Sequence, residues 1–174
     1  MPEPIAWLNG RLVPATAAAV PVTDLGVVAG ASITEMIRTF QGNPFRLDEH
    51  LDRFFESLDL VGFPTSPDRC DLLDAVEALV THNSKLIPPH HDLGIIVFTT
   101  AGPNLTYLGA AGRSSAAQGT TCVHTFPLPF ELWASKFEVG QQLASVDVRP
   151  LDRSSIPPQA KHRNRLHWYR ADKE

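Results

Sequence analysis

Apolar positions along the chain fall into segments of two different periods, separated by glycine, proline and asparagine. Ile5 to Leu8 is a short apolar run, Asn9-Gly10 has the chemistry of a two-residue hairpin turn, and Arg11-Leu12-Val13 follows before Pro14. This predicts an opening β-meander. Glu35 to Phe40 predicts a strand, Gln41-Gly42-Asn43-Pro44 a turn, and Phe45-Arg46-Leu47 the partner strand. The period then changes. Leu51, Phe54, Phe55 and Leu58 recur at helical spacing, with Asp48 placed to cap the helix, Glu49 in its first turn and Gly62 at its end. Leu72, Leu73, Val76, Leu79 and Val80 form the stripe of a second helix, started by Ser66-Pro67 and closed by Pro88-Pro89.

Leu93 to Thr100 predicts a buried strand, broken by Ala101-Gly102-Pro103. The stretch from Ala110 to Gly119 is small and polar and predicts a linker. Strands are predicted over Thr121–Leu128 and Leu143–Val148, a loop at Ile156-Pro157-Pro158, and a basic helix from Ala160 onward. The order of elements predicts an α+β fold: an N-terminal α/β sandwich over 1–110, a linker over 111–119, and the incomplete beginning of a second, β-rich domain over 120–174.

Composition narrows the function classes. Hydrophobic residues make up 43% and charged residues 20%, which predicts an ordered core rather than disorder. The formal net charge of −4 points away from nucleic acid as the main partner. Cys70 and Cys122 form no Cys-x-x-Cys pair, and His82, His90 and His91 lack helix-spaced ligand geometry, so no metal site is expected. The opening Met1-Pro2-Glu3-Pro4 carries no basic n-region, and the longest apolar runs are too short to span a bilayer. A cytoplasmic chain with no membrane partner is the expectation. Neither a Gly-x-Ser-x-Gly elbow nor a phosphate-binding glycine loop is present.

Three places remain that carry chemistry. Lys161 follows a proline- and serine-containing loop and has His162, Arg163, Arg165 and His167 as neighbours. Neighbouring cations and desolvation favour a neutral amine, which condenses with an aldehyde. Arg53 shares a helix edge with His50 and Ser57, where a guanidinium can bind a phosphate dianion through two parallel hydrogen bonds. Glu35 and Arg38 lie on the strand with Met36 between them, giving that strand an ionic face and an expected ion pair. Taken singly, these residues read as a solvated lysine, an arginine at a core rim and a solvated sheet face.

Taken together, their order resembles one family. Val22 to Gly30, with Ile33-Thr34-Glu35-Met36-Ile37-Arg38, resembles an Asp-x-Gly, Gly and Glu-x-x-Arg opening. Phe45 to Ser57 is similar to a His-x-x-Arg-x-x-x-Ser helix, and Lys161-His162-Arg163-Asn164-Arg165-Leu166 resembles the lysine motif. These are motifs of the fold-type-IV pyridoxal-phosphate enzymes: branched-chain and D-amino-acid aminotransferases, and aminodeoxychorismate lyase. The resemblance runs along the whole chain. It implies pyridoxal 5′-phosphate as cofactor, Lys161 as the internal-aldimine lysine that also moves the α-proton, and Arg53 as a phosphate ligand. It also implies Thr34, Glu35 and Arg38 on the substrate side, a small amino substrate, and a homodimer.

The expected activity is transamination of an amino acid or related amine. Lyase chemistry is the alternative, since the Lys-His-x-Asn-Arg-Leu form of the motif resembles the lyases in particular. A non-catalytic binding or assembly fragment of the same fold is the reading from another class. Thr34 stands where the family has an aromatic residue, Ser32 where it has a glycine, and Thr100-Ala101-Gly102 where many members have Thr-Arg-Gly. The family also has a second half beyond the lysine helix, with the acid that pairs with the pyridine nitrogen. For the 174-residue chain without it, weak cofactor binding and little turnover are the expectation.

Overall fold

The computed structural model describes residues 2–64, 66–108 and 118–174. Its centre is an antiparallel sheet built from β1 (Ile5–Leu8), β2 (Arg11–Pro14), β3 (Ser32–Phe40), β4 (Asn43–Pro44), β5 (Leu93–Thr100) and β6 (Thr121–Pro127). The order across the sheet is β2-β1-β6-β5-β3-β4. Helices α1 (Leu25–Val28), α2 (Leu47–Val61), α3 (Arg69–Asn83), α4 (Leu105–Leu108), α5 (Phe130–Val139) and α6 (Leu166–Ala171) complete the described elements, with two short 3-10 turns. The architecture is the expected α+β.

The hairpin β1–β2 turns at Asn9 and Gly10, both with positive φ (47° and 85°), as a tight primed turn requires. A second such turn, at Gln41 (φ 52°) and Gly42 (φ 79°), joins β3 to β4. The partner strand of β3 is therefore Asn43–Pro44, ahead of the expected Phe45-Arg46-Leu47, and Leu47 already opens α2. Arg46 occupies the N-cap in the left-handed region. Asp48 and Glu49 sit in the first turn, so Asp48 contributes to the helix dipole rather than as a cap. For α3 the cap is Asp68, two residues past the expected Ser66, and its carboxylate accepts from Cys70 N and Asp71 N.

One sheet face carries both long helices. Ile33 and Ile37 of β3, Ile95 and Val97 of β5 and Val123 of β6 meet Leu51, Phe54 and Leu58 of α2 and Leu72, Val76 and Leu79 of α3. These side chains are almost wholly removed from water, and their burial is the main source of stability. Asn83 at the end of α3 ties the layers together: its amide nitrogen reaches Ile5 O at 2.9 Å and Thr125 Oγ1 at 2.8 Å. Gly94 is required on the other sheet face, because a Cβ there would come within 2.3 Å of the Phe126 ring.

Two expectations for the second half, the strand over Leu143–Val148 and the helix from Ala160, are corrected. Thr121–Pro127, as β6, lies between β1 and β5, in register with both. Leu128 N, donating to Asp92 O, extends the attachment. Long-range strand pairing decides this position, and no local pattern reports it. Residues 111–117 of the expected linker lie outside the described residues. Leu143–Val148 forms no strand, and Leu143 is 92% exposed. The helix expected from Ala160 spans only Leu166–Ala171, since Lys161 to Arg163 lie extended along the edge of β3 instead.

Candidate active site

Strand β3 points Glu35 at α2, between the buried Ile33 and Ile37. On α2, the spacing of His50, Arg53 and Ser57 puts all three on one stripe beside the core residues Leu51, Phe54 and Leu58. The segment at Lys161 closes the arrangement. Thr34 N donates to Lys161 O (2.9 Å), Arg163 N donates to Ser32 O (3.1 Å), and Ile33 and His162 form a bridge. These three residues act as a short edge strand along β3.

Glu35 is the centre. Its side chain is 0% exposed. Arg53 Nε lies 2.6 Å from Oε1 and Arg53 Nη2 2.8 Å from Oε2, a two-pronged pair. His50 Nδ1 lies 2.9 Å from Oε2 and Lys161 Nζ 3.2 Å from the same oxygen. Burial works to raise the Glu35 carboxyl. Hydrogen bonds from Arg53 and His50, with the charge and hydrogen bond of Lys161, outweigh it and hold the group below its ordinary value. The Arg53 guanidinium is raised by its hydrogen bonds to Glu35. Ser57, fully buried, accepts from Lys161 N at 3.2 Å and donates to Arg53 O at 2.7 Å. Lys161 is thus held at its amide N–H, its carbonyl and its amine by three different residues.

Outside this cluster lies a cleft of about 370 Å³. Its cationic or basic lining is Arg53, Arg153, Lys161, His162, Arg165 and His167, and none of the described lining residues is acidic. Burial, then the charges of Arg165 and His167, push His162 below its ordinary value and favour its neutral ring. His167 Nδ1 is buried without a hydrogen-bond partner among the described residues. A concave, positive wall with an amine at its floor suits an anionic ligand that also carries a carbonyl.

The expected site residues separate into two groups. Lys161, Arg53 and Glu35 come together. Glu35 does so from the sheet face that carries α2. Thr34 lies on the opposite sheet face, its hydroxyl donating to Val97 O at 3.0 Å. Arg38 is far along that face, 3.5 Å from Asp92 and 3.8 Å over the Phe40 ring. No Glu35–Arg38 pair forms, because residues three apart on a strand point in opposite directions. The direct roles of His50 and Ser57 were signalled by their helical spacing with Arg53. Asp92 and Arg153 carried no local signal.

The family described as amino-transferase class IV matches residues 32–174. This chain belongs to the class IV aminotransferases. The family depends on pyridoxal phosphate. Branched-chain-amino-acid aminotransferase-like protein 1 of Arabidopsis thaliana is 26% identical over 93% of this chain and 28% of its own length. A D-alanine aminotransferase of Staphylococcus aureus (strain MSSA476) is 31% identical over 71% of this chain and 36% of its own. The branched-chain aminotransferase of Thermoproteus uzoniensis, solved with norvaline, superposes with a TM-score of 0.73 at 23% identity, covering 98% of this chain and 55% of that one. That of Thermobaculum terrenum, in its pyridoxal-phosphate form, gives 0.69 at 20% identity. These structures share the fold. The chain spans between 28% and 55% of the length of the relatives compared in this way.

Proposed function

We propose that this chain provides the lysine and the phosphate anchor of a pyridoxal-phosphate-dependent aminotransferase acting on an amino acid or related amine. The observation that carries the reading is the meeting of Lys161 Nζ and the Arg53 guanidinium on the buried Glu35, at the floor of the cationic cleft. The donor set fits the cofactor by chemistry, because one amine, one guanidinium and further positive groups line one cleft, as an aldehyde and a phosphate require. The buried Nδ1 of His167, without a hydrogen-bond partner among the described residues, adds a further polar group at this cleft.

When bound, pyridoxal phosphate supplies an aldehyde that exchanges amines and a ring that draws electrons from the substrate α-carbon. The protein's part is binding, orientation and proton handling. Lys161 supplies the amine that holds the aldehyde, and its Nζ is the base positioned to take and return a proton at the α-carbon. Arg53 commits its Nε and Nη2 to Glu35 and lines the cleft, where its guanidinium would bind the phosphate. Arg153 and Arg165 add positive field at the same wall.

The reading includes the beginning of a second domain over 120–174, a homodimer and a cytoplasmic setting. The last two rest on the family resemblance, with which the free thiols of Cys70 and Cys122 agree. No helix among the described residues is long and apolar enough to cross a membrane.

Borohydride reduction with pyridoxal phosphate, followed by peptide mass mapping, tests the reading. A phosphopyridoxyl group confined to Lys161, and missing from Lys161→Ala, is the expected result. Labelling scattered over Lys85, Lys136 and Lys173 contradicts it. Amino-group turnover that requires a keto acid marks transamination; release without one marks the lyase alternative.

A further inference from the structure

We infer that Glu35 is the positioning residue of this site: it holds the Lys161 amine and aims the Arg53 guanidinium, so that one buried carboxylate sets the distance between the two ligand-facing groups. The inference deepens the aminotransferase reading and rests on it for the identity of the ligand. The geometry behind it is independent of any ligand.

Three positive or polar groups converge on Glu35 from two separate parts of the chain. Arg53 and His50 come from α2 and Lys161 from the edge segment 126 residues away in sequence. The carboxylate has 0% exposure, whereas its partners are exposed to different degrees: 48% for Arg53, 28% for Lys161 and 23% for His50. A wholly buried acid with half-wet partners is a pivot. Its own position is fixed by β3 and the core, and the long flexible side chains take their positions from it. Alternative anchors for Lys161 are lacking. Its side chain has no other hydrogen bond among the described residues, and the cleft around it is lined by cations that repel an ammonium. The groups facing Glu35 are Arg53, His50 and Lys161, and those around Lys161 are Arg53, Arg153, His162, Arg165 and His167. Against that repulsion, one carboxylate oxygen shared with His50 keeps the amine in place.

The test uses the full chain and needs no cofactor. Reductive methylation with formaldehyde and cyanoborohydride is read lysine by lysine, with Lys85, Lys136 and Lys173 as internal controls. Solvent exchange of the Arg53 Nε–H is read by 15N NMR. In Glu35→Gln, methylation of Lys161 rises roughly fivefold relative to the other lysines, the size of a partly exposed ion pair. Exchange at Arg53 Nε–H accelerates in parallel. In Glu35→Asp the shorter acid reaches Arg53 or Lys161 but not both, so one readout moves and the other is retained. A folded Glu35→Gln with unchanged Lys161 methylation and unchanged Arg53 exchange overturns the inference. If Glu35→Gln does not fold, Glu35→Asp decides: movement of either readout supports the inference, and movement of neither overturns it. Pyridoxal-phosphate trapping of the unmodified chain is run beside these. Its failure, with the methylation result intact, sinks the aminotransferase reading and leaves the positioning role standing.

Discussion

The two contributors to the site are built in opposite ways. Arg53 and Glu35 stand on α2 and β3, whose inner residues Ile33, Leu51 and Phe54 are at most 1% exposed. Lys161 stands in a segment flanked by α5 and α6, neither of which has a buried residue. Phe137, Val139 and Leu143 are 90%, 81% and 92% exposed. Ala160, at 5%, is the point where this segment enters the core. Arg53 therefore sits on a scaffold that is rigid in its own right, and Lys161 borrows its order from the edge of β3 and from Ser57. The comparison teaches where the site can be broken: through the core on one side, through a few polar contacts on the other.

Four substitutions sharpen that contrast, taken from the largest effect downward. Phe54→Ala empties a fully buried site and should cost about 3–5 kcal/mol in chemical denaturation. Glu35→Gln removes a buried acid from its partners and should cost roughly 1–3 kcal/mol near neutral pH. Because its carboxyl is held below its ordinary value of 4.5 in the fold, its contribution is fully present above that pH. It is lost as the pH falls from there through the lower folded value. Denaturation of the unmodified and Glu35→Gln chains across this range should converge in acid, and a gap that persists or widens there contradicts the assignment.

Ser57→Ala should cost about 1 kcal/mol overall. Its more telling effect is local, because hydrogen exchange of the Lys161 amide should quicken while that of α3 is unchanged. Phe137→Ser, by contrast, should stay within about 0.5 kcal/mol of the unmodified chain, since its side chain is 90% exposed. A large loss there would mean that the segment around α5 packs where it is now seen open.

Much of the scaffold could be read from local chemistry. Asn9-Gly10 announces its turn, the stripe from Leu51 to Leu58 its helix, and the apolar run from Leu93 its strand. What escaped was decided at long range. Thr121–Pro127 has the composition of a strand, yet its seat between β1 and β5 follows from pairings such as Trp7 with Val123. The alternation of apolar residues at Leu143–Val148 pairs with no strand among the described residues and stays irregular. At the site, the helix spacing of His50, Arg53 and Ser57 was visible, and the sequence also singled out Lys161, which the structure brings to them. The role of Glu35 depended on which face of β3 it occupies, and a count of residues from Arg38 would have shown that the two point apart. The cleft itself is assembled from Pro150 to Trp168 with Arg53, a juxtaposition with no local trace.

The most direct test of the central claim compares two aldehydes that differ only in the phosphate. Pyridoxal phosphate and pyridoxal are titrated against the intact chain and against Arg53→Ala, with reduction and mapping of Lys161 as the readout. The account predicts that the intact chain is labelled by the phosphorylated aldehyde at concentrations roughly tenfold or more below those needed for pyridoxal, and that Arg53→Ala erases this preference while Lys161 still reacts. Equal labelling by the two aldehydes in the intact chain, or a preference that survives Arg53→Ala, would contradict it.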